Sequence, residues 1–332
     1  MLSSVNDLHP LILPSLSVAL GIIALVYGAS RFVESAASLA ARLGVSTLVI
    51  GLTIVSFGTS APEVMVSLSA SIDRAGAIAV GNAIGSNIAN VGMVLGFTLL
   101  LARIPVERST VKQELPVLLL VTALAGIFLY DAKLVFYESL ILVLAVIPFL
   151  LFILKFKKED QLAEADELIQ DKDMSIVKLS VILVAGFVLL VGGAEALVYG
   201  AEKTALYFNV SPIVVGLTVV AIGTSLPELA ASVASALKGH HDMAVGAIIG
   251  SNVFNLLLVL PLPGLFYTLQ LEPSVFSRDY LSMAALTLAL ALVCLLTMFF
   301  QSSRKEKLIQ LTWPFGLLLL AAYIGYGLVL FI

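Results

Sequence analysis

Apolar blocks of about twenty or more residues recur from one end of this 332-residue chain to the other. A helix of that length crosses the hydrocarbon core of a bilayer. The composition agrees, because 60% of the residues are hydrophobic and only 12% are charged, whereas a soluble domain carries about a quarter charged residues. The chain is therefore predicted to be an all-α polytopic membrane protein.

Ten apolar segments predict ten transmembrane helices. The second and seventh are too long for one straight crossing, and each contains a Gly-Thr-Ser-x-Pro-Glu motif at which we expect the helix to break. No basic residue precedes the first segment, so it is expected to be a permanent span rather than a cleaved signal peptide. The segments are 11–32, 38–71, 77–102, 111–131, 133–154, 175–200, 208–238, 241–267, 277–300 and 309–331.

The chain contains an internal repeat. A shift of 165 positions aligns "VSTLVIGLTIVSFGTSAPEVMVS" (45–67) with "VSPIVVGLTVVAIGTSLPELAAS" (210–232), and without a gap it then aligns "AVGNAIGSNIAN" (79–90) with "AVGAIIGSNVFN" (244–255). About twenty of the roughly 46 paired positions are identical. A match of this extent predicts that the two halves of the chain share one structural unit.

Each half holds five predicted spans, and an odd number makes the second half enter the membrane from the opposite side. The sequence thus predicts two inverted five-helix repeats, an architecture in which a substrate site forms at the midplane between the halves. We place the first repeat at 1–155 with its motif at 51–90, a solvated cytoplasmic linker at 156–174, and the second repeat at 175–332 with its motif at 216–255.

The loop charges predict the orientation. Lys and Arg gather in the loops after the odd-numbered spans, and the positive side of a membrane protein is cytoplasmic. Both termini are therefore expected on the non-cytoplasmic side of the plasma (inner) membrane. The net charge of −4 and the absence of a basic patch argue against nucleic-acid binding. The crowded side has Arg42, Arg103, Arg108, Lys112, Lys155, Lys157, Lys158, Lys172, Lys238, Arg304, Lys305 and Lys307, and the other side has Arg74, Lys133, Lys203 and Arg278.

The first motif places an acid and three hydroxyls on one helix face. Residues three, four and seven apart share a face, so Ser60, Thr59 and Ser56 align with Glu63. In the second motif Glu228 has Ser225 and Thr224 at the same offsets, with Ala221 in place of the third hydroxyl.

Prolines precede both acids. Pro62 and Pro227 lack an N–H, so the carbonyls of Gly58 and Gly223 lose their usual helical partners. A freed carbonyl at membrane depth needs a protein group, water or an ion. Carboxylate, hydroxyl and carbonyl oxygens together suit hard cations such as calcium and sodium.

The second part of each repeat adds amides. Ser86 and Asn90 are four apart and share a face, as do Ser251 and Asn255. The small pairs Gly81–Gly85 and Gly246–Gly250 allow close helix packing. The expected result is a two-fold-related cage of carboxylates, hydroxyls and amides.

Hydrogen bonding between helices is enough to explain single serines, threonines and asparagines in the spans, but it does not explain Glu63 and Glu228. A charged acid at the bilayer centre costs about 2.5–3.5 kcal/mol on insertion scales, and no nearby Lys or Arg of the motif segments neutralises it, because Arg42 lies 21 residues before Glu63 and Lys238 lies 10 residues after Glu228. A cation or a proton must do so, which predicts ion transport. Glu195, near the outer end of the sixth span, either lines an access path or is an interfacial acid.

These motifs carry a resemblance to a known family. "GTSAPE…GNAIGSNIAN" and "GTSLPE…GAIIGSNVFN" resemble the two alpha repeats of the calcium:cation antiporter superfamily, and within it the bacterial and archaeal sodium/calcium exchangers. The resemblance implies sodium and calcium as transported ions, no cofactor, and alternating access in which spans one and six slide past a fixed core. The ion ligands it implies are Ser56 (through its carbonyl), Thr59, Ser60, Glu63, Ser86, Asn90, Ala221 (through its carbonyl), Thr224, Ser225, Glu228, Ser251 and Asn255.

One position departs from the family pattern. Well-studied members often carry Asp where this chain has Asn255. The resemblance implies three sodium ions per calcium ion, and the missing third acid bears directly on that stoichiometry. Exchange by competition is expected in any case, because calcium and sodium need the same two carboxylates.

Other functions give different expectations. A calcium/proton antiporter of the same superfamily typically shows a "GNATE"-like motif around the acid, which this chain lacks, and protons would not need a hydroxyl cage. An intramembrane enzyme would need an activated nucleophile, but the only His in a span is His241, at the first position of the eighth segment, and Cys294 has no basic partner. A channel would need an open pore, whereas the small-residue pairs predict an occluded cage.

The expected partners are the two ions and the lipid bilayer, and the sequence does not indicate an oligomeric state.

Overall fold

The computed structural model of the chain describes residues 10–156, 174–208, 221–300 and 308–330, so most of the linker predicted at 156–174 lies outside the described residues. The fold is helical, with four short strands. The helices are α1 (Ile12–Leu43), α2 (Thr47–Thr59), α3 (Ala61–Ile72), α4 (Gly76–Leu101), α5 (Arg108–Leu129), α6 (Phe136–Leu144, continued by Val146–Phe156), α7 (Ile176–Tyr207), α8 (Ala221–Thr224), α9 (Leu226–Leu237), α10 (His241–Phe266), α11 (Val275–Phe299) and α12 (Trp313–Val329), and the strands are β1 (Ile104–Glu107), β2 (Lys133–Leu134), β3 (Leu269–Gln270) and β4 (Leu308–Leu311).

Within the described ranges, seven helices are long and apolar enough to cross a bilayer, or eight if α2 and α3 form one bent span. The apolar helices α9 and α12 are shorter, with 12 and 17 residues. This count is lower than the ten spans expected from the sequence. The first part of the expected seventh span falls at 209–220, outside the described residues.

The predicted boundary between the first two spans was wrong. α1 does not end near residue 32 but continues to Leu43, where Gly44 ends it in the left-handed conformation with φ 64°. α2 then begins at Thr47, and the side chain of Ser46 accepts a hydrogen bond from the Val49 N–H. The charged residues Arg31 and Glu34 do not end α1, because the Ala-rich stretch that follows them favours a continuing helix.

The predicted break in the second segment is confirmed. α2 and α3 meet at an angle of 45° around Ser60, and Pro62 stands in the first turn of α3. The second half breaks in the same way at Ser225, with Pro227 in the first turn of α9. Proline fits the first turn of a helix because its missing N–H would have no helical partner there.

The two 32-residue helices α1 and α7 pack closely along glycines. A Cβ added at Gly28 would lie 2.4 Å from the Leu190 backbone nitrogen, and one added at Gly193 would lie 2.4 Å from the Leu25 nitrogen. Successive contacts involve higher residue numbers on α1 and lower residue numbers on α7, so the two helices run antiparallel. Small residues allow such backbone contact between membrane helices.

The secondary structure follows the sequence repeat. α3 and α9 begin and end 165 positions apart. The α-helical part of α4 ends at Ala89 and that of α10 ends at Phe254, and each helix continues as a π-helical stretch that starts at Asn90 or Asn255. Local π-helical turns often occur at functional sites.

Two small sheets tie the halves of the chain together. β1 pairs antiparallel with β4, with Ile104 opposite Leu311, and β2 pairs antiparallel with β3, with Lys133 opposite Gln270. Each sheet joins one strand from each half. The helices α4 and α10 lie at the centre: 94% of the most apolar stretch of α10 is buried, against 28% for α1 and 22% for α7.

Candidate functional site

The two helix breaks bring the two motif acids together inside the protein. Glu63 lies in the first turn of α3 and Glu228 in the first turn of α9, and their side chains are only 0% and 4% exposed. The carboxylates are close enough for their charges to repel each other. A helix N-terminus partly offsets the cost of a buried anion, but neither acid has a basic partner in the described part of the chain.

A hydrogen bond joins the first motif to the acid of the second. The Ser60 hydroxyl of the first motif donates to Glu228 Oε1 at 3.2 Å. The repeat counterpart is not formed: the Ser225 hydroxyl and both carboxylate oxygens of Glu63 are buried with no hydrogen-bond partner among the described residues. The Ser86 side chain lies beside the Glu63 carboxylate and is 4% exposed. The sequence repeat therefore produces an asymmetric pair of acids.

The Ser56 carbonyl collects several donors. It accepts hydrogen bonds from the Ser60 N–H at 3.0 Å, from the Thr59 hydroxyl at 3.4 Å and from the Ser251 hydroxyl at 3.4 Å. Residues of both motifs therefore converge on one backbone oxygen. Ala221 begins α8, and nothing is described of its side chain.

The amides of α4 and α10 meet across the repeat. Asn87 Nδ2 donates to the Asn252 carbonyl, and Asn90 Nδ2 donates to Asn252 Oδ1, both at 3.1 Å. Asn255 is fully buried, and neither its Oδ1 nor its Nδ2 has a partner in the described ranges. The sequence analysis did not single out Asn87 or Asn252, although each is the invariant third residue of Gly-Ser-Asn in the two repeats.

Asn82 was also missed. Its Nδ2 donates to the Glu63 carbonyl at 3.1 Å and to the Ser67 hydroxyl at 3.0 Å, so it fixes the start of α3. It lies four residues before Ser86, and this spacing could have identified it. Its repeat counterpart is Ala247, and the counterpart of Ser67, Ser232, has a buried hydroxyl without a partner among the described residues.

Most of the predicted residues converge on this buried region. Thr59, Ser60, Ser225, Ser251 and Asn255 are at most 1% exposed, whereas Thr224 is half-buried. Buried polar atoms normally have hydrogen-bond partners, and a bound cation would satisfy the oxygens among those that lack one. The buried atoms without a partner in the described residues include Glu63 Oε1 and Oε2, Glu228 Oε2, Asn90 Oδ1, Ser225 Oγ and both side-chain polar atoms of Asn255.

The ligand chemistry is oxygen-based. The described residues contain no group of three or more His, Cys, Asp or Glu side chains able to hold a metal ion. Two carboxylates among hydroxyl and amide oxygens form a set that suits calcium or sodium more than a transition metal.

A cavity of about 260 Å³ lies beside the site, between α7 and the two helix breaks. We call this cavity the vestibule. Thr224 lines it together with the prolines of both breaks, and its opposite wall is α7. The lining residues used below are Pro62, Val191, Glu195, Glu202, Thr224 and Pro227.

Comparison with known proteins gives consistent matches. A family model described as sodium/calcium exchanger protein matches residues 14–155 and 178–332. The putative antiporter CaxA of Alkalimonas amylolytica is 40% identical over 97% of this chain and 99% of its own length. The inner membrane protein YrbG of Escherichia coli is 37% identical over 86% of this chain and 89% of its own. The sodium/calcium exchanger structure from Methanococcus jannaschii superimposes with a TM-score of 0.79 at 32% identity, covering 95% of this chain and 97% of that one.

Proposed function

Because this chain belongs to the sodium/calcium exchanger family, we propose that it is a secondary antiporter that exchanges sodium for calcium by alternating access. Members of the family are transporters and not enzymes. The observation that carries the proposal is the buried pair Glu63 and Glu228, which stands among oxygen atoms without protein partners in the described residues. A hard cation is the ligand that such a pair needs.

The proposed ion site is built from both repeats. Glu63 and Glu228 supply the charge, and hydroxyls and amides complete the coordination. Asn90 and Asn255 are both candidates, because the side-chain Oδ1 of each lacks a partner in the described ranges, and the Nδ2 of Asn90 donates to Asn252. The proposed ligands are Ser56 (carbonyl), Thr59, Ser60, Glu63, Ser86, Asn90, Ala221 (carbonyl), Thr224, Ser225, Glu228, Ser251 and Asn255.

Competition for the two carboxylates couples the fluxes. With both acids ionised, the site carries a charge of −2, which one calcium ion or two sodium ions neutralise. Two uncompensated charges at the bilayer centre are costly, so the empty site resists the change of side. The protein then changes its accessible side only when it is loaded, and one ion is exchanged for the other.

The proposed moving element is the pair α1 and α7. Its two helices touch along backbone at Gly28 and Gly193, which favours movement as one body, and both have smaller buried shares than α4 and α10. We propose that this pair slides past the central helices to open one side and then the other.

The proposed topology has ten spans in two inverted five-helix repeats, with both termini outside the cytoplasm. Its supports are the offset of 165 positions shared by α3 and α9 and the cross-repeat pairing in both small sheets. A periplasmic reporter fused after Ile332 is expected to be active in a bacterial host. A reporter active only in the cytoplasm would overturn the topology.

A calcium/proton antiporter is the second candidate. The names of the relatives CaxA and YrbG do not specify a coupling ion, and two buried carboxylates could exchange protons for calcium. The hydroxyl and amide oxygens around them favour sodium, because a proton needs no coordinating cage. The proposal therefore commits to sodium.

Calcium uptake by purified protein in liposomes separates the candidates. One set of vesicles carries an outward sodium gradient at equal pH, and the other carries a pH gradient without sodium. We expect calcium accumulation only in the first set. Uptake that follows the pH gradient and ignores sodium would support the proton antiporter instead.

A further inference from the structure

Glu195 lies near the outer end of the sixth predicted span and has no partner among the described residues. Seven residues separate it from Glu202 along α7, which places it about 10 Å deeper at 1.5 Å per residue. No hydrogen bond or ion pair of its side chain is formed within the described part of the chain. Glu202, by contrast, contacts Lys203 Nζ at 3.7 Å. A charged side chain inside the membrane normally faces a water-filled cavity or a partner.

The vestibule provides that cavity. Its volume of about 260 Å³ is large enough for several waters, and the Glu195 side chain lines it together with Thr224, one of the proposed ion ligands. Val191 and Val198 form much of the remaining wall. An acid in a cleft with apolar walls concentrates its field in the cleft and attracts cations there.

The acids of the vestibule belong to one half of the chain only. A shift of 165 positions maps Glu195 onto Ser30 and Glu202 onto Ala37. These two counterparts are not acids, and Ala37 is buried. The counterpart of the vestibule residue Tyr199 is Glu34, but the charge of Glu34 is paired with Lys238 Nζ at 2.6 Å. The asymmetry is expected if attraction of cations is needed on one side of the membrane and not on the other.

We propose that Glu195 is a cation-recruiting residue, which binds calcium or sodium transiently in the vestibule before the ion reaches Glu63 and Glu228. This inference rests on the proposed function and extends it from the central site to the route on the non-cytoplasmic side. Glu202 stands at the mouth of the same route, where the charge of Lys203 partly cancels its own. Glu195 thus sets the apparent affinity for ions that arrive from this side.

Thiol labelling measures the field in the vestibule without any transport assay. Val191 lies one helical turn deeper than Glu195 and lines the vestibule, so Val191→Cys is the probe, in a background where the buried Cys294 is replaced by alanine. Two methanethiosulfonate reagents of similar size are compared, one with a trimethylammonium group and one with a sulfonate. Each rate is divided by the rate for a small free thiol.

We expect the cationic reagent to react faster at Val191→Cys. A unit charge about 7 Å away through water changes a monovalent concentration by about threefold, so Glu195→Gln should lower the cation-to-anion rate ratio by about ninefold at low ionic strength. The effect should shrink in 1 M salt, where the Debye length is about 3 Å. Glu34→Gln is the matched control, because Glu34 is an exposed acid of α1 bound to Lys238 outside the vestibule.

Flux from each side tests the consequence for transport. In right-side-out vesicles, Glu195→Gln should raise the half-saturating external concentration of sodium about threefold and that of calcium about ninefold. Calcium carries twice the charge, so its factor is the square of the sodium factor. In inverted vesicles the same variant should leave both values unchanged, and the maximal rate should be retained.

The outcomes separate this inference from the proposed function. If wild-type protein shows no sodium-driven calcium uptake, the proposed function fails, while the labelling result still decides whether Glu195 attracts cations. A Val191→Cys thiol that neither reagent reaches would show a dry vestibule and overturn the inference. An unchanged rate ratio in Glu195→Gln, or an equal affinity change on both sides, would also overturn it.

Discussion

The hydroxyl of Ser60 donates a hydrogen bond to Glu228 Oε1 at 3.2 Å, across a sequence separation of 168 residues. It joins the first motif to the acid of the second. The repeat counterpart, a hydrogen bond from Ser225 to Glu63, is not formed. The Ser225 hydroxyl and the Glu63 carboxylate have no hydrogen-bond partners within the described ranges. Two equivalent sequence motifs therefore surround their acids differently, with Glu228 bonded to Ser60 of the other motif and Glu63 beside Ser86.

This difference predicts unequal effects of two matched substitutions. Ser60→Ala removes a partner of a buried carboxylate, so it should lower the free energy of unfolding of the ion-free protein by about 1–3 kcal/mol. Ser225→Ala removes a hydroxyl that forms no such bond and should change ion-free stability by less than about 0.5 kcal/mol. Thermal unfolding in detergent with a chelator measures both. Equal losses would contradict the asymmetric pair.

The contact between α1 and α7 predicts a second matched pair. A Cβ at Gly193 would collide with the backbone of Leu25 at 2.4 Å, so Gly193→Ala should destabilise the protein by about 1–3 kcal/mol through overpacking. At the adjacent Gly192 a Cβ meets no atom within 4 Å, and Gly192→Ala should be neutral or stabilising by up to about 1 kcal/mol. Melting temperatures of the two variants in the same detergent provide the comparison. A stable Gly193→Ala protein would mean that the two helices do not touch as closely as described.

The buried carboxylates of Glu63 and Glu228 predict that exchange is lost when either one is neutralised. Glu63→Gln and Glu228→Gln each remove half of the negative charge while they keep the side-chain volume. Each should reduce sodium-driven calcium uptake to background without loss of folded protein, as judged by size-exclusion chromatography. Near-normal uptake by either folded variant would exclude that carboxylate as an ion ligand.

Asn255 predicts how the exchanger responds to acid. Its buried amide has no partner in the described residues, and Asn255→Asp would add a third carboxylate to the site. That group can take up a proton in competition with the ions, so the exchange rate of the variant should fall more steeply than that of wild type as the pH is lowered. Uptake against pH at clamped voltage measures the effect. Superimposable pH profiles would place residue 255 outside the ion site.

The repeat and the two breaks were predictable because they depend on local chemistry. Proline removes a helical donor wherever it stands, and the shift of 165 positions is visible in the letters alone. The convergence of Ser60 with Glu228 could only be expected in outline, as a close approach of the motif helices. The spacing of Ser56, Thr59 and Ser60 gave their common face but not the shared Ser56 carbonyl.

Other features depend on tertiary packing and were not predictable. The ion pair between Lys238 Nζ and Glu34, at 2.6 Å, joins residues that are 204 positions apart in the sequence. The spacing of Asn82 from Ser86 could have identified it, but not its partners, the Glu63 carbonyl and Ser67, which belong to a different helix.

The most direct test of the proposed ion site is to locate the bound ion itself. Crystals of the protein soaked with manganese or cadmium, collected where the metal scatters anomalously, give a peak at each bound ion. The proposed shared ion site predicts one dominant peak between the carboxylates of Glu63 and Glu228. This peak should weaken when the sodium concentration is raised, because the two ions compete. A dominant peak elsewhere, or a peak between these acids that survives saturating sodium, would contradict the proposal that one shared site carries the exchange.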